Sequence, residues 1–144
     1  MKVVIQRVSS SNVKVNNKVV AQISKGLHLL VCIEHDDNRQ TIQKACEKIL
    51  ALRIFADEQG RMNRSVVDIE GSILAVSQFT LSWNGKKGNR PSFDGSAKPE
   101  VANKLFDEFV EILKNTVPVE KGVFGESMAV VIHNDGPVTF HIEF

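Results

Sequence analysis

Residues 134–144 read Asn134-Asp135-Gly136-Pro137-Val138-Thr139-Phe140-His141-Ile142-Glu143-Phe144. Four turn-forming residues run straight into alternating apolar and polar positions, the period-2 signature of a half-buried strand. Val138, Phe140, Ile142 and Phe144 fall on one face, and Thr139, His141 and Glu143 on the other. Upstream, Met128–Ile132 is also apolar, so the pattern predicts a final strand pair folded about a tight Gly136-Pro137 turn. Gly136 has no side chain and lets another molecule approach the backbone closely. Pro137 fixes φ and withholds an N–H, which leaves carbonyls projecting without a competing donor. A surface built this way can sense shape and handedness with main chain alone. For the turn by itself, a plain hairpin ended by proline is the simpler explanation.

Working outward, Val3–Val8 reads as a strand. Val13 and Val15 then alternate with Lys14 and Asn16, Asn16-Asn17 gives a turn, and Val19–Ile23 returns. After Gly26, Leu27–Ile33 is nearly all apolar and predicts a buried strand. Asp37 or Asn38 can cap a helix, because Ile42, Ala45, Cys46, Ile49 and Leu50 follow at spacings of three and four. Asp57–Asn63, with Gly60, reads as a loop, and Ile73–Leu81 as the next strong strand. Ser82–Lys98 is rich in Gly, Asn, Ser and Lys and predicts an irregular surface segment. Pro99 and Glu100 open a second helix with an apolar stripe of Val101, Ala102, Leu105, Phe106, Phe109, Ile112 and Leu113. The sum is about six to eight strands and two amphipathic helices. Short turns join several strands, so the expectation is an α+β domain spanning 1–144: a curled, mostly antiparallel, barrel-like β-sheet covered by the two helices. The terminal strand has no evident cover and can pair with a second copy, which favours a homodimer.

The bulk properties narrow the classes. The 144 residues fit one domain, and 18 Lys and Arg against 17 Asp and Glu leave a net charge of +1. That excludes a strongly electrostatic, sequence-independent nucleic-acid binder and gives no case for DNA, but it leaves room for a local basic patch. Cys32 and Cys46 are not spaced as CxxC and lie in apolar contexts, so they read as reduced buried thiols of a cytoplasmic protein. The first apolar run is too short for a signal peptide, and no stretch approaches the roughly 18 apolar residues of a membrane span.

Most familiar chemistries are missing. His28, His35, His133 and His141 form neither HxH nor HExxH, and no cluster has metal-ligand spacing. There is no GxSxG elbow and no Gly-rich phosphate loop, so neither a metal nor a nucleotide cofactor is expected. Two segments stand out. Ser77-Gln78-Phe79-Thr80 puts polar groups at the end of a buried strand, where they either enter a pocket or bond to a neighbouring turn. Lys86-Lys87-Gly88-Asn89-Arg90 places three cations on a loop, either to hold phosphates or simply to sit in solvent. Trp83 and Phe93 beside them either stack on a base or anchor the loop.

Taken in order, Val4-Ile5-Gln6-Arg7-Val8, Leu52-Arg53-Ile54-Phe55, Met62-Asn63, Ser77-Gln78-Phe79-Thr80-Leu81, Arg90-Pro91-Ser92-Phe93 and Asn134-Asp135-Gly136-Pro137-Val138-Thr139 span the whole chain. This ordered set resembles the D-aminoacyl-tRNA deacylases. Ser82-Trp83-Asn84-Gly85 and Asn63-Arg64-Ser65 depart from that family's pattern. The resemblance implies a homodimer that hydrolyses the ester between a D-amino acid and the 3′-terminal adenosine of tRNA. It implies a cis Gly136-Pro137 bond whose turn enters the other subunit's pocket, with Arg7 bracing it and Asn134 beside it at the substrate. It implies a pocket wall of Ser77, Gln78, Phe79 and Thr80, and assistance from the substrate's own ribose 2′-hydroxyl. Lys86, Lys87 and Arg90 are the corresponding candidates for RNA contact.

An aminoacyl ester is already activated, so such a site needs a held carbonyl, a placed water and donors for the oxyanion, which backbone N–H groups near Phe79-Thr80 would supply. Thr80 as a covalent nucleophile is the alternative, but no base is visible to activate it. Carbonyls of Gly136 and Pro137 would fill the space of an L side chain. Glycine would pass the same filter, which makes glycyl-tRNA, such as tRNA-Ala mischarged with glycine, an expected substrate. Two other classes remain: a non-catalytic RNA-binding module, which would bind D-Tyr-tRNA without releasing the amino acid, and a general small-molecule esterase.

Overall fold

The structure, a computed structural model, describes residues 1–86 and 88–144. The element order is β1 (Lys2–Val15), β2 (Lys18–Ile23), β3 (Gly26–Cys32), α1 (Arg39–Leu50), β4 (Phe55–Ala56), β5 (Met62–Arg64), β6 (Ser72–Ser77), a 3₁₀ turn (Phe79–Ser82), α2 (Pro99–Lys114), β7 (Val119–Lys121) and β8 (Ala129–Glu143). β1 is the spine. It pairs antiparallel with β2, β3 and β8. Asn16 and Asn17 both hold positive φ, 50° and 63°, which matches the twist of the β1–β2 hairpin.

The sheet is mixed, less antiparallel than expected. β3 pairs parallel with β6, and β6 with β7. The physical reason is in the connections: α1 lies between β3 and β6 and α2 between β6 and β7, and helical crossovers of that length carry the chain back to the same end of the sheet. β2 curls over to approach β6 and β7, giving the barrel-like form.

Two apolar clusters fill the two sides. α1 and α2 pack on Val3, Ile5, Leu27, Leu29, Val31 and Ile73. Inside the curl, Val8, Val13, Ala21, Ile23, Leu74 and Val76 form the second cluster. Asn38 caps α1, its Oδ1 accepting from the Gln40 and Thr41 N–H groups at 2.9 and 3.3 Å. Asp37 instead accepts from the Glu34 N–H at 2.7 Å. Pro99 starts α2 as predicted, but the buried stripe is rotated. Val101 is 49% exposed, and Val110 is buried in its place.

Three expected elements differ. Residues 57–63 are not all loop, since Met62–Arg64 pairs with Phe55–Ala56 in a small separate hairpin. The strand expected over 73–81 ends at Ser77 and turns into 3₁₀ geometry. The largest difference is at the C-terminus. No chain reversal occurs at Gly136-Pro137. β8 is one strand of 15 residues that follows β1 from Lys14↔Ala129 to Lys2↔Glu143. The turn residues form a wide bulge within it. Gln6 pairs with Thr139 and Val8 with Asn134, so a step of two on β1 (6 to 8) meets a step of five on β8 (134 to 139). A bulge and a turn ask for the same residues, because both need a positive-φ glycine and tolerate a missing N–H.

Candidate active site

β6 runs beside β3 as far as Val31↔Ser77. Gln78 then donates its N–H to the Val31 carbonyl at 2.7 Å, leaves the strand and starts the 3₁₀ turn. The first N–H groups of a helical turn have no carbonyl one turn earlier to bond. Among the described residues, neither the Phe79 nor the Thr80 N–H finds an acceptor in the chain. Phe79 is 56% exposed and meets Phe93 edge to face, ring centres 5.0 Å apart at 81°. Behind it, the Cys32 thiol donates to the Phe79 carbonyl at 3.5 Å. Burial, helped by the Glu34 carboxylate, pushes the Cys32 pKa up, so this thiol stays protonated and serves as a support. The Gln78 amide donates to the Thr80 hydroxyl. No base touches Thr80 Oγ1 among the described residues.

Two cavities adjoin this turn. The larger, about 460 Å³, lies between the sheet and the start of α2, with Phe79, Phe93, Phe106 and Phe124 around it and Lys98 and Pro99 at one side. The smaller, about 280 Å³, takes in Gln78, Glu126 and Met128. Ser77, Phe79 and Gly125 line both. No histidine, cysteine or aspartate lines either cavity, and Glu126 is the single carboxylate, among the described residues. No group of three or more His, Cys, Asp and Glu side chains has a metal-holding arrangement among the described residues.

The β8 bulge forms a separate cluster. Its Gly136–Pro137 peptide bond is cis, and Gly136 sits at φ 118°. Arg7, opposite the bulge on β1, donates from Nη1 to the Ile54 carbonyl at 2.6 Å and from Nε to the Asp135 carbonyl at 3.3 Å. The same Nε lies 3.1 Å from the Asp135 carboxylate. The Asn134 amide ties the base of the bulge. With its nitrogen donating to the Arg7 and Val138 carbonyls (2.9 and 3.2 Å), its oxygen accepts from Thr139 Oγ1 and Gln6 Nε2 (2.9 and 3.2 Å). Asn134 thereby ties Arg7 and Gln6 on β1 to Val138 and Thr139 beyond the bulge. Gly136 and Pro137 are exposed, and neither lines either cavity of its own chain.

Thus Ser77, Gln78 and Phe79 converge on the cavities, with Thr80 one step outside. Arg7, Asn134, Gly136 and Pro137 converge elsewhere. Lys86 and Arg90 are exposed on the connection into α2. Lys87 lies outside the described residues. Sequence reasoning missed Phe124, Gly125 and Glu126; it left Lys98 at the end of an irregular surface segment and took Pro99 only as a helix start. Gly125 was a usable signal, because a lone glycine after an aromatic marks a turn.

A family model described as D-Tyr-tRNA(Tyr) deacylase matches residues 4–143, and the chain belongs to that family. Its members hydrolyse the aminoacyl-tRNA ester bond, so this chain is a D-aminoacyl-tRNA deacylase by family. Among solved structures, a protein titled c-Myc DNA Unwinding Element Binding Protein is 38% identical over 100% of this chain and 99% of its own, with a TM-score of 0.96. A probable eukaryotic D-amino acid tRNA deacylase is 20% identical over 98% of both chains, with a TM-score of 0.82, and shares the fold.

Proposed function

We propose that the chain works as a homodimer in which the Gly136-Pro137 bulge of each copy enters the cavity of the other. Exposure of both residues outside their own cavities carries this reading. So does the apolar edge around them: Val131 and Phe140 on β8 and Phe144 just past its end are 37, 37 and 36% exposed, more than a polar solvent face would leave. The terminal adenosine lies in the aromatic cavity, and the ester carbonyl sits over the free Phe79 and Thr80 N–H groups. One such donor contributes roughly 3–4 kcal/mol at the transition state. The partner's bulge carbonyls occupy the space of an L side chain, while D-aminoacyl and glycyl esters pass. The ribose 2′-hydroxyl assists the attack, since no protein base reaches the Thr80 hydroxyl. With a net charge of +1 the chain lacks the broad positive field of a sequence-independent DNA binder, so the tRNA 3′ end remains its nucleic acid.

The test is single-turnover hydrolysis of D-Tyr-tRNA ending in adenosine or in 2′-deoxyadenosine. The ribose ester should be cleaved, with the deoxy ester slower by about 100-fold or more, the scale of a lost general catalyst. Equal rates would remove the 2′-hydroxyl from the mechanism.

A further inference from the structure

Two charges of opposite sign are divided between the two compartments. Lys98 lines the larger compartment and Glu126 the smaller, and no other ionisable side chain lines either among the described residues. Neither takes part in an ion pair among the described residues. Local backbone rules set both. Lys98 precedes Pro99 in extended geometry, φ −58° and ψ 145°, so it stands off the start of α2. Glu126 closes a four-residue turn, its N–H donating to the Val123 carbonyl at 3.3 Å, with Gly125 at φ 79° in the position that demands it. Glu126 stays exposed on this turn and at the same time walls a compartment shared with Ser77 and Phe79.

The substrate of the deacylase reading is dipolar in the same sense. Its terminal nucleotide carries a phosphate on the 5′ side, and its aminoacyl group carries an α-ammonium. We propose that Glu126 receives the substrate's α-ammonium while Lys98 faces its phosphate, so the polarity of the cavity fixes the direction in which the aminoacylated 3′ end lies. This assignment rests on the deacylase reading and adds a specificity-determining pair to it.

The probes are four non-hydrolysable 3′-amide analogues of D-tyrosyl-adenosine, with and without N-acetylation and with and without a 5′-phosphate, their Kd values measured by competition. The unaltered protein should prefer the free amine and the 5′-phosphate. Glu126→Gln should lose about fivefold on the free-amine analogues only, the scale of one partly solvated charge pair, and keep the phosphate preference. Lys98→Gln should show the converse. A variant that weakens all four analogues alike, or none, overturns the assignment. A loss of turnover with unchanged analogue affinities would also overturn it, by making Glu126 a base. Should the unaltered protein bind none of the four and spare D-Tyr-tRNA, the deacylase reading itself falls. Should it cleave D-Tyr-tRNA while Glu126→Gln retains the amine preference, only the polarity assignment falls.

Discussion

His28 shows how one buried side chain can set a pH limit. It has no exposed surface, its Nδ1 lies 3.0 Å from Ser11 Oγ, and its Nε2 has no partner. Ser11 donates its hydroxyl proton to the Val131 carbonyl at 2.8 Å, so Nδ1 is the protonated nitrogen and Nε2 a bare lone pair among apolar groups. Burial lowers the His28 pKa from 6.5 to about 4. The unfolded chain therefore binds more protons between those values, and stability rises with pH there. The full contribution is present above 6.5 and falls away as pH drops toward 4, by on the order of 3 kcal/mol. Urea titrations across this window should show the slope, and His28→Gln should flatten it. Thr80 gives the residue-scale test of mechanism. Its hydroxyl is held only by the Gln78 amide, so Thr80→Ala should retain activity within about tenfold of the unaltered rate. Complete loss in a folded variant would restore the nucleophile mechanism.

Among the elements, periodicity was legible wherever one face meets the core. Ile42, Ala45, Cys46 and Ile49 of α1 are all buried as their spacing implied. The stripe of α2 slipped at Val101 because spacing cannot tell which side of a first turn overhangs the sheet. The Asn134–Pro137 bulge was invisible as a bulge, since its residues satisfy a chain reversal equally well. The long-range pairing of β8 with β1, 126 and 133 residues apart at the pairs that flank the bulge (134 − 8 and 139 − 6), decided the matter. Parallel pairing of β3 with β6 was also out of reach, though Gly26 signalled it. A Cβ at Gly26 would stand 1.8 Å from the Ser72 carbonyl oxygen, so only glycine lets the two strands meet. Gly26→Ala should cost about 3 kcal/mol, read as a lowered denaturant midpoint.

For the whole molecule, the candidate site divides into two clusters that a single chain keeps apart. The sequence carried both, because main-chain devices need glycine, proline and strand-end polar residues that can be read directly. It carried less of the cavity itself: Phe106 looked like core alone, and Glu126 drew no reading at all. Cavity walls come from elements distant in the chain, and no local pattern announces them. That two-cluster division makes the central claim testable by mixing. Phe79→Ala damages the cavity. Gly136→Ala damages the bulge, where a Cβ would lie 2.7 Å from Arg7 Nη2 at φ 118°. Each variant alone should be inactive on D-Tyr-tRNA. Refolded together in equal amounts, half the dimers combine the two variants, and each such dimer holds one undamaged composite site. The mixture should recover about a quarter of the unaltered D-Tyr-tRNA hydrolysis while leaving L-Tyr-tRNA intact. No recovery, with mixed dimers demonstrably formed, would contradict a site completed by the second copy.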